Sequence, residues 1–149
     1  KNIEKINRLI KNRDFWMPFT PSILKEHSDK LIYNPKNIDS PYMTIGFQST
    51  ELARKKISAC LHMADYSARP QLVAKSLNLE YWKLIYEFFK ITKIPCVLNT
   101  SFNLHGDPMN YSIPDAVRTL ALSALEFLIL PDNRLLLKKN AIKKVKDLI

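Results

Sequence analysis

Residues 79–103 read LEYWKLIYEFFKITKIPCVLNTSFN and contain the clearest helix and strand signals of the chain. Apolar side chains recur at the i, i+3, i+4, i+7 and i+8 spacing of one helix face, which predicts a helix over 79–92. Asn78 is a suitable N-cap, and Pro95 follows the predicted end. The apolar run 94–98 is typical of an interior strand. We therefore expect the helix to bury its apolar face on a sheet that includes this strand.

A polar cluster follows the predicted strand directly, at residues 99–103. Open α/β sheets bind ligands where their strands end, and Ser101 and Asn103 offer uncharged hydrogen-bond donors and acceptors at that place. The alternative is a turn whose hydroxyls bond to their own backbone. Because five successive polar or aromatic residues exceed what a tight turn needs, the cluster is a candidate ligand site.

Helices and strands alternate along the rest of the chain. Apolar side chains at helical spacing predict an N-terminal helix over 1–10. Ser112 lies three residues before Asp115 in a capping-box-like arrangement, which predicts the start of a further helix. The other expected elements are an extended, edge-like segment at 15–24, which contains two prolines, and strands at 40–47, 57–62, 127–130 and 134–138. We expect an α/β (α+β) fold with a mixed sheet, formed by one domain over 1–149.

The chain is basic, with 23 Lys and Arg against 14 Asp and Glu and a formal charge of +9. A field of that sign favours anionic partners such as nucleotides, phosphates, nucleic acid or an acidic neighbouring domain. Several of the cations lie in 139–149, which we interpret as a solvated basic tail. Only two glycines are present, which excludes a Walker or dinucleotide phosphate loop.

Cysteine and histidine usage gives no sign of a disulfide framework or a zinc site. Cys60 and Cys96 have neither metal-ligand spacing nor the density of a disulfide scaffold, so we expect buried free thiols and a reducing, cytoplasmic location. The three histidines lie far apart, and we expect no metal bound by this chain itself. The longest apolar stretch, 120–130, is too short to span a bilayer, so no membrane partner is expected.

Two groups of cations stand beside stiff, proline-containing segments. If the chain is extended near Lys11 and Arg13, both side chains point to the same side and could hold a phosphate together. The alternative is two surface cations at a helix end. Pro70 restricts the backbone next to Arg69, whose planar guanidinium suits a carboxylate, a carbamoyl oxygen or a phosphate. The alternative for Arg69 is a surface salt bridge with Asp65.

Taken in order, these groups resemble the C-terminal domain of the O-carbamoyltransferases that modify nodulation factors and antibiotics. The resemblance covers residues 11–139. The matching groups are residues 11–24 (KNRDFWMPFTPSIL), 40–43 (SPYM), 62–71 (HMADYSARPQ), 98–103 (LNTSFN) with 106–108 (GDP), and 114–116 (PDA). In that family the domain resembles the YrdC fold, a twisted mixed sheet with flanking helices, whose signature pairs Lys-x-Arg with a later Ser-x-Asn.

The resemblance implies that carbamoyl phosphate and ATP, the latter with Mg²⁺, combine in this domain to give carbamoyl-adenylate and pyrophosphate. A larger N-terminal transferase domain with its own metal site, absent from this chain, would then pass the carbamoyl group to a substrate hydroxyl in a biosynthetic reaction. The implied site residues are Lys11, Arg13 and Arg69 at the phosphates and the carbamoyl oxygen, and Thr100, Ser101 and Asn103 at the nucleotide or carbamoyl group.

The chain departs from the family pattern at two places. Many relatives have Arg-Pro-Phe-Ala-Pro where residues 17–21 read MPFTP, so one phosphate contact is lost. The family's Asp-Gly-Thr reads Asp65-Tyr66-Ser67, which replaces a flexible glycine with a bulky ring.

Two other functions stay open from the sequence. The positive charge suits a nucleic-acid (RNA) binding module, although the aromatic residues follow core periodicity and do not interleave with Lys and Arg as stacking platforms do. A non-catalytic domain that docks to a transferase partner is the third reading. Carbamoyl phosphate and ATP are the expected ligands, and nucleic acid is not the expected partner.

Overall fold

The computed structural model of the chain describes residues 4, 6–11, 17–131 and 134–142. The chain divides into two compact units. The sheet unit is Phe15–Thr100, and the terminal unit joins Lys1–Asp14 to Ser101–Ile149. Both units combine helices with strands, which confirms the expected α/β class. One domain over 1–149 stays a prediction. Within the described ranges, no helix is long and apolar enough to cross a bilayer.

The sheet unit is built around a three-stranded mixed sheet. Its strands are β1 Thr20–Leu24, β2 Phe47–Gln48, β3 Ser67–Ala68, β4 Gln71–Val73 and β5 Cys96–Asn99, and its α-helices are α1 Glu51–Lys56 and α2 Leu79–Thr92. The sheet has the order β4-β1-β5, in which β1 is parallel to β4 and antiparallel to β5. The remaining two strands, β2 and β3, form a short antiparallel pair.

Strand β1 lies in the centre of its sheet, so the expectation of an edge-like segment is wrong. The register explains how a central strand accommodates Pro21. Leu24 N–H donates to Pro95 O on the β5 side at 3.0 Å, and N–H groups alternate along a strand, so the missing N–H of Pro21 falls on the β4 side. Pairing with β4 begins only at Ser22↔Gln71. The proline therefore costs the ladder no hydrogen bond.

Strand β5 was expected in the interior, yet among the described strands it pairs only with β1. Its apolar composition has another cause. Cys96 packs into a core on one face of the sheet, and Val97 packs against a core on the other. An edge strand with both faces covered has the same apolar run as an interior strand, so the sequence could not distinguish them.

Two hydrophobic cores lie on opposite faces of the sheet because side chains alternate along each strand. Ile23 and Leu72 belong to the first core, and Leu24 and Val73 to the second. Helix α2 covers the second face and buries Ile85 completely. The first core also contains Leu31, Ile32, Phe47, Ala53, Ile57, Leu61, Ala68 and Cys96.

Helix α2 has the bounds that its sequence predicts. Asn78 Oδ1 accepts a hydrogen bond from Tyr81 N–H at 3.1 Å and caps the N-terminus. The C-cap, Lys93, is left-handed at φ 61°, a conformation that often ends helices before a proline. Local signals therefore determine both ends of this helix.

The strands expected at 40–47 and 57–62 are largely absent. Only Phe47 of the first range belongs to a strand, and Met43 turns the chain with a left-handed φ of 59°. In the second range, Ser58–Cys60 is a 3-10 helix that follows α1. Ile57 and Leu61 both reach the core at a separation of four residues, which is helical spacing. A short apolar run fits the periodicity of a helix as well as that of a strand, and in this segment the helical periodicity applies.

The terminal unit contains the later elements that the sequence predicts. Its elements are a π-helix Asn7–Lys11, α3 Ile113–Leu122, β6 Phe127–Ile129, β7 Leu135–Leu137 and a 3-10 helix Lys139–Ala141. Strands β6 and β7 lie within the ranges expected for strands and pair antiparallel. Helix α3 begins at the predicted capping box of Ser112 and Asp115. Residues 1–3 and 5 of the expected first helix, and residues 143–149 of the basic tail, lie outside the described residues.

The capping box should make stability depend on pH. The Ser112 hydroxyl and backbone N–H donate to Asp115 Oδ2 at 2.7 and 3.0 Å and lower the pKa of this carboxyl. Since the unfolded pKa is about 3.9, the carboxylate stabilises α3 above that pH, and this contribution is lost as the pH falls through the lower folded pKa. We expect an Asp115→Asn variant to melt below wild type at neutral pH and the difference to shrink below about pH 4. Circular dichroism melts across this range measure it, and a constant difference would contradict the assignment.

Candidate functional site

Lys11 and the loop that begins at Ser101 form a polar cluster in the terminal unit. Lys11 Nζ donates to Ser101 Oγ at 3.0 Å, to Asn103 Oδ1 at 2.7 Å and to the Asn103 backbone oxygen at 3.3 Å. Ser101 Oγ also donates to Asn103 Oδ1 at 2.8 Å. The fold thus brings Lys11 next to Ser101 and Asn103, predicted site residues that lie 90 and 92 positions later in the sequence.

The position of Lys11 differs from both interpretations of its sequence. It is the last residue of the π-helix and only 2% exposed, so it is neither in an extended segment nor a surface cation. Burying an ammonium group costs several kcal/mol unless its protons are hydrogen-bonded, and the loop oxygens accept them. The cluster therefore holds a positive charge against the half-buried side chains of Ser101 and Asn103.

Further hydrogen bonds hold this loop in place. Asn103 Nδ2 donates to the backbone oxygen of Asp107 at 2.6 Å. Gly106 has a left-handed φ of 83°, a conformation that glycine adopts without strain. Asn110 N–H donates to Phe102 O at 3.0 Å and closes the loop on itself. The Asn103 side chain is thus held at both ends, and the Ser101 hydroxyl donates to that side chain.

Arg69 lies in the sheet unit and lines a cavity of about 120 Å³. The other lining residues are Pro18, Phe19, Thr20, Cys60, His62, Ser67 and Ala68. The Arg69 side chain is exposed. It forms neither an ion pair nor a hydrogen bond with any residue that the structure describes. Its guanidinium is therefore available to an anionic ligand.

The alternative interpretation of Arg69, a salt bridge with Asp65, does not apply, because Asp65 pairs with other residues in the described part of the chain. Asp65 Oδ1 instead accepts from Ser67 N–H at 2.8 Å and lies 3.3 Å from His62 Nδ1. The backbone and side chain of Ser67 are the main causes of a lowered pKa at Asp65, and His62 adds to them. Tyr66, which stands where the family has glycine, adopts the left-handed conformation at φ 57°. The turn thus keeps a glycine-like backbone although a tyrosine costs about 1–2 kcal/mol there.

A row of polar side chains crosses the three-stranded sheet and was not assigned from the sequence. Ser22 Oγ donates to Gln71 Oε1 at 3.0 Å, and Asn99 Nδ2 donates to both, at 2.9 Å to Ser22 and 3.1 Å to Gln71. Each residue lies two positions from an apolar residue that packs against α2 or its core. The sequence shows one polar residue in each of three strands, on the face that otherwise carries apolar residues. Only the strand register shows that the three side chains meet.

Two neighbours complete this polar row. Thr20 Oγ1 donates to the Asn99 backbone oxygen at 3.3 Å and contacts Met43 Sδ at the same distance. Met43 is the residue with the left-handed φ of 59°. Burial raises the pKa of Tyr81, although a hydrogen bond with Ser22 lowers it. Tyr81 therefore stays protonated at neutral pH at the border between the row and helix α2.

The remaining predicted site residues are placed as follows. Thr100 Oγ1 is buried and has no hydrogen-bond partner among the described residues. Arg13 lies outside them, so its role stays a prediction. Arg69 belongs to the sheet unit and Lys11 to the terminal unit. The grouping of these cations around one loop likewise stays a prediction.

Cys60 and Cys96 are buried free thiols, as the sequence predicts. A hydrogen bond to Cys60, together with burial, raises the pKa of Cys96 far above its ordinary value. A thiol in that state is protonated at neutral pH and is a poor nucleophile. Within residues 4–142 as described, no group of three or more His, Cys, Asp or Glu side chains is arranged to hold a metal ion.

Comparison with known proteins identifies the family. Residues 1–139 match the family described as Carbamoyltransferase C-terminus. The chain is 38% identical over 130 residues to an uncharacterised protein of Methanocaldococcus jannaschii, covering 87% of this chain and 25% of that protein. It is 35% identical over 129 residues to nodulation protein NolNO of Sinorhizobium fredii, covering 86% and 19%. It is 33% identical over 130 residues to nodulation protein NolO of Bradyrhizobium diazoefficiens, covering 87% and 24%.

The chain spans about a fifth to a quarter of the length of these relatives. The family match, by contrast, extends over nearly the whole chain and includes each of the groups that carry Lys11, Arg69 and Ser101. The chain therefore belongs to the carbamoyltransferase C-terminus family.

Proposed function

We propose that this chain is the part of an O-carbamoyltransferase that binds carbamoyl phosphate and ATP and forms carbamoyl-adenylate. Membership of the family supports carbamoyl transfer as the chemistry. The observation that carries the proposal is the bonding of Lys11 to Ser101 and Asn103. These residues correspond to the lysine and the Ser-x-Asn pair of the signature that the sequence resembles.

The Lys11 cluster would bind phosphate groups of the nucleotide. Phosphoryl chemistry is catalysed mainly by positioning and by charge stabilisation. Ser101 and Asn103 are half-buried and would contact the ligand, whereas the buried ammonium of Lys11 would orient them and supply positive charge at short range. Arg13 would add a second cation. Mg²⁺ would arrive with ATP, chelated by its phosphates.

Arg69 and its cavity would bind the phosphate of carbamoyl phosphate. A guanidinium can bind two phosphate oxygens at once, and that of Arg69 has no competing partner in the described part of the chain. His62 and Thr20 line the same cavity and could donate further hydrogen bonds. The cavity, at about 120 Å³, suits a small acyl phosphate better than a nucleotide.

The proposed reaction balances with one water molecule. Water would convert carbamoyl phosphate to carbamate and inorganic phosphate. A carbamate oxygen would then attack the α-phosphorus of ATP, forming carbamoyl-adenylate as pyrophosphate leaves. Transfer to an acceptor hydroxyl, with AMP as the leaving group, would take place on a larger N-terminal domain. The relatives, which are four to five times longer than the matched region, have room for such a domain.

Release of pyrophosphate from ATP tests this function directly. The chain with Mg²⁺, ATP and carbamoyl phosphate should release pyrophosphate, and omission of carbamoyl phosphate should abolish the release. A chain that binds neither ligand, but binds RNA with an affinity that falls steeply with salt, would instead be a nucleic-acid module.

Substitution of Arg69 by alanine should weaken carbamoyl phosphate binding by about tenfold or more, since a charge-assisted hydrogen bond contributes about 1.5–3 kcal/mol. The melting temperature should change little, because Arg69 is exposed and forms no hydrogen bond or ion pair with the described residues. Calorimetric titration measures the affinity. Arg54→Ala is the matched control, since it removes an arginine of the same unit that lies over the Tyr66 ring. Equal affinity in wild type and Arg69→Ala would remove Arg69 from the site.

A further inference from the structure

The polar row of Ser22, Gln71 and Asn99 leaves one end of each amide unused. Gln71 Oε1 accepts from Ser22 Oγ and from Asn99 Nδ2, and Asn99 Nδ2 donates to Ser22 Oγ as well. The contact of Asn99 Nδ2 with Met43 Sδ at 3.6 Å favours this orientation of the two amides. The atoms that remain are Gln71 Nε2, a donor, and Asn99 Oδ1, an acceptor. Neither is bonded by any residue that the structure describes.

Both unused atoms can be reached by a ligand. Gln71 and Asn99 are only half-buried, whereas Ser22 behind them is completely buried. Among the described residues, the buried polar atoms without a partner do not include Gln71 Nε2 or Asn99 Oδ1. The row therefore has its internal hydrogen bonds on one side and, on the other, one donor and one acceptor that the described residues leave unbonded.

Two further residues, Thr20 and Met43, contact Asn99, and Thr20 also lines the Arg69 cavity. Thr20 lines that cavity and also donates to the Asn99 backbone oxygen at 3.3 Å. Met43, held in a left-handed conformation, contacts both Thr20 Oγ1 and Asn99 Nδ2 through its sulfur. Strained backbone of this kind costs about 1–3 kcal/mol and is concentrated at functional sites. All of these residues belong to the sheet unit.

We propose that Gln71 and Asn99 recognise the carbamoyl group itself, with Gln71 Nε2 donating to its carbonyl oxygen and Asn99 Oδ1 accepting from its NH₂ group. The inference rests on the proposed function and names the residues that would select its substrate. A carbamoyl group is planar and presents one acceptor and one donor, which complement the two free amide atoms. Cations such as Arg69 bind any acyl phosphate, so they cannot provide this selection.

Acetyl phosphate is the analogue that tests the selection. It keeps the carbonyl oxygen and the phosphate but has a methyl group in place of NH₂, so Asn99 Oδ1 would be left unpaired against it. A site built to hydrogen-bond a substrate N–H discriminates strongly against an analogue that lacks it. Wild type should therefore bind carbamoyl phosphate at least about tenfold more tightly than acetyl phosphate.

Two variants separate the two amide roles by calorimetric titration. Asn99→Leu, which removes the acceptor, should bind the two acyl phosphates equally. Gln71→Glu keeps the oxygen that accepts from Ser22 and Asn99 but lacks the free donor. It should bind carbamoyl phosphate about tenfold more weakly, with a smaller loss for inorganic phosphate, which controls for the added charge.

Gln48 provides the matched controls, because it is an exposed glutamine of the same unit in β2. Gln48→Leu and Gln48→Glu should behave as wild type does. If wild type binds carbamoyl phosphate but shows no preference over acetyl phosphate, the Gln71–Asn99 inference fails while the proposed function survives. If wild type binds no carbamoyl phosphate, both fail. Should Asn99→Leu not fold, Gln71→Glu decides, and carbamoyl phosphate affinity equal to that of Gln48→Glu would overturn the inference.

Discussion

Replacement of Lys11 by methionine should lower the free energy of unfolding by about 2–4 kcal/mol and weaken ATP binding by about tenfold or more. Lys11 is 2% exposed, and its ammonium donates to Ser101 and to two oxygens of Asn103. Methionine keeps an unbranched apolar stem, so the substitution removes mainly the charge and its hydrogen bonds. Denaturant unfolding measures the stability, and calorimetry measures the ATP affinity.

A second lysine distinguishes loss of this cluster from loss of any positive charge. Lys25 forms a surface ion pair with Asp39 at 2.9 Å, with about half of each side chain exposed. Exposed pairs contribute about 0–1 kcal/mol, so Lys25→Met should change stability little and ATP affinity not at all. A Lys11→Met protein that loses stability but binds ATP as wild type does would make the cluster purely structural and would contradict its proposed nucleotide role.

Truncation of Ile85 to alanine should cost about 2–5 kcal/mol of stability, as other completely buried large side chains do. Ile85 has no exposed surface and packs with Leu24 and Val73, which joins helix α2 to the central and β4 strands. Alanine would leave a cavity between the helix and the sheet. The loss should appear as a lower denaturation midpoint with an unchanged dependence on denaturant concentration.

The neighbouring Leu84 is the control for this truncation. It lies on the same helix but is 50% exposed, and Leu84→Ala should cost less than about 1 kcal/mol. Helix propensity favours alanine slightly at both positions, so it does not explain a difference between them. A smaller cost at Ile85 than at Leu84 would mean that α2 packs on the sheet through another face.

Helices α2 and α3 could be predicted from sequence because their signals are local. Asn78 caps the first and the Ser112–Asp115 box caps the second, and each bond joins residues three positions apart. The segments at 40–47 and 57–62 could not be predicted in the same way. Their apolar residues show only that they are buried, and a strand, a 3-10 helix or an irregular segment can bury such short runs equally well.

Some features of the candidate site could likewise be predicted from the sequence, and others could not. The sequence pointed to Lys11, Ser101 and Asn103, and the structure places them within hydrogen-bonding distance. That Lys11 is buried was not predicted, since burial depends on what the rest of the chain packs around it. Gln71 and Asn99 were quoted as parts of motifs without a role, because their pairing follows from the register of three strands.

By itself, the sequence determined the α/β class, the two capped helices and the family to which the chain belongs. Each depends on spacing along the chain or on motifs that can be read directly. The central position of β1, the buried ammonium of Lys11 and the polar row across the sheet were decided only by tertiary structure. They depend on which distant segments become neighbours. The hydrogen bonds between such segments cannot be inferred from the residue periodicity of either segment alone.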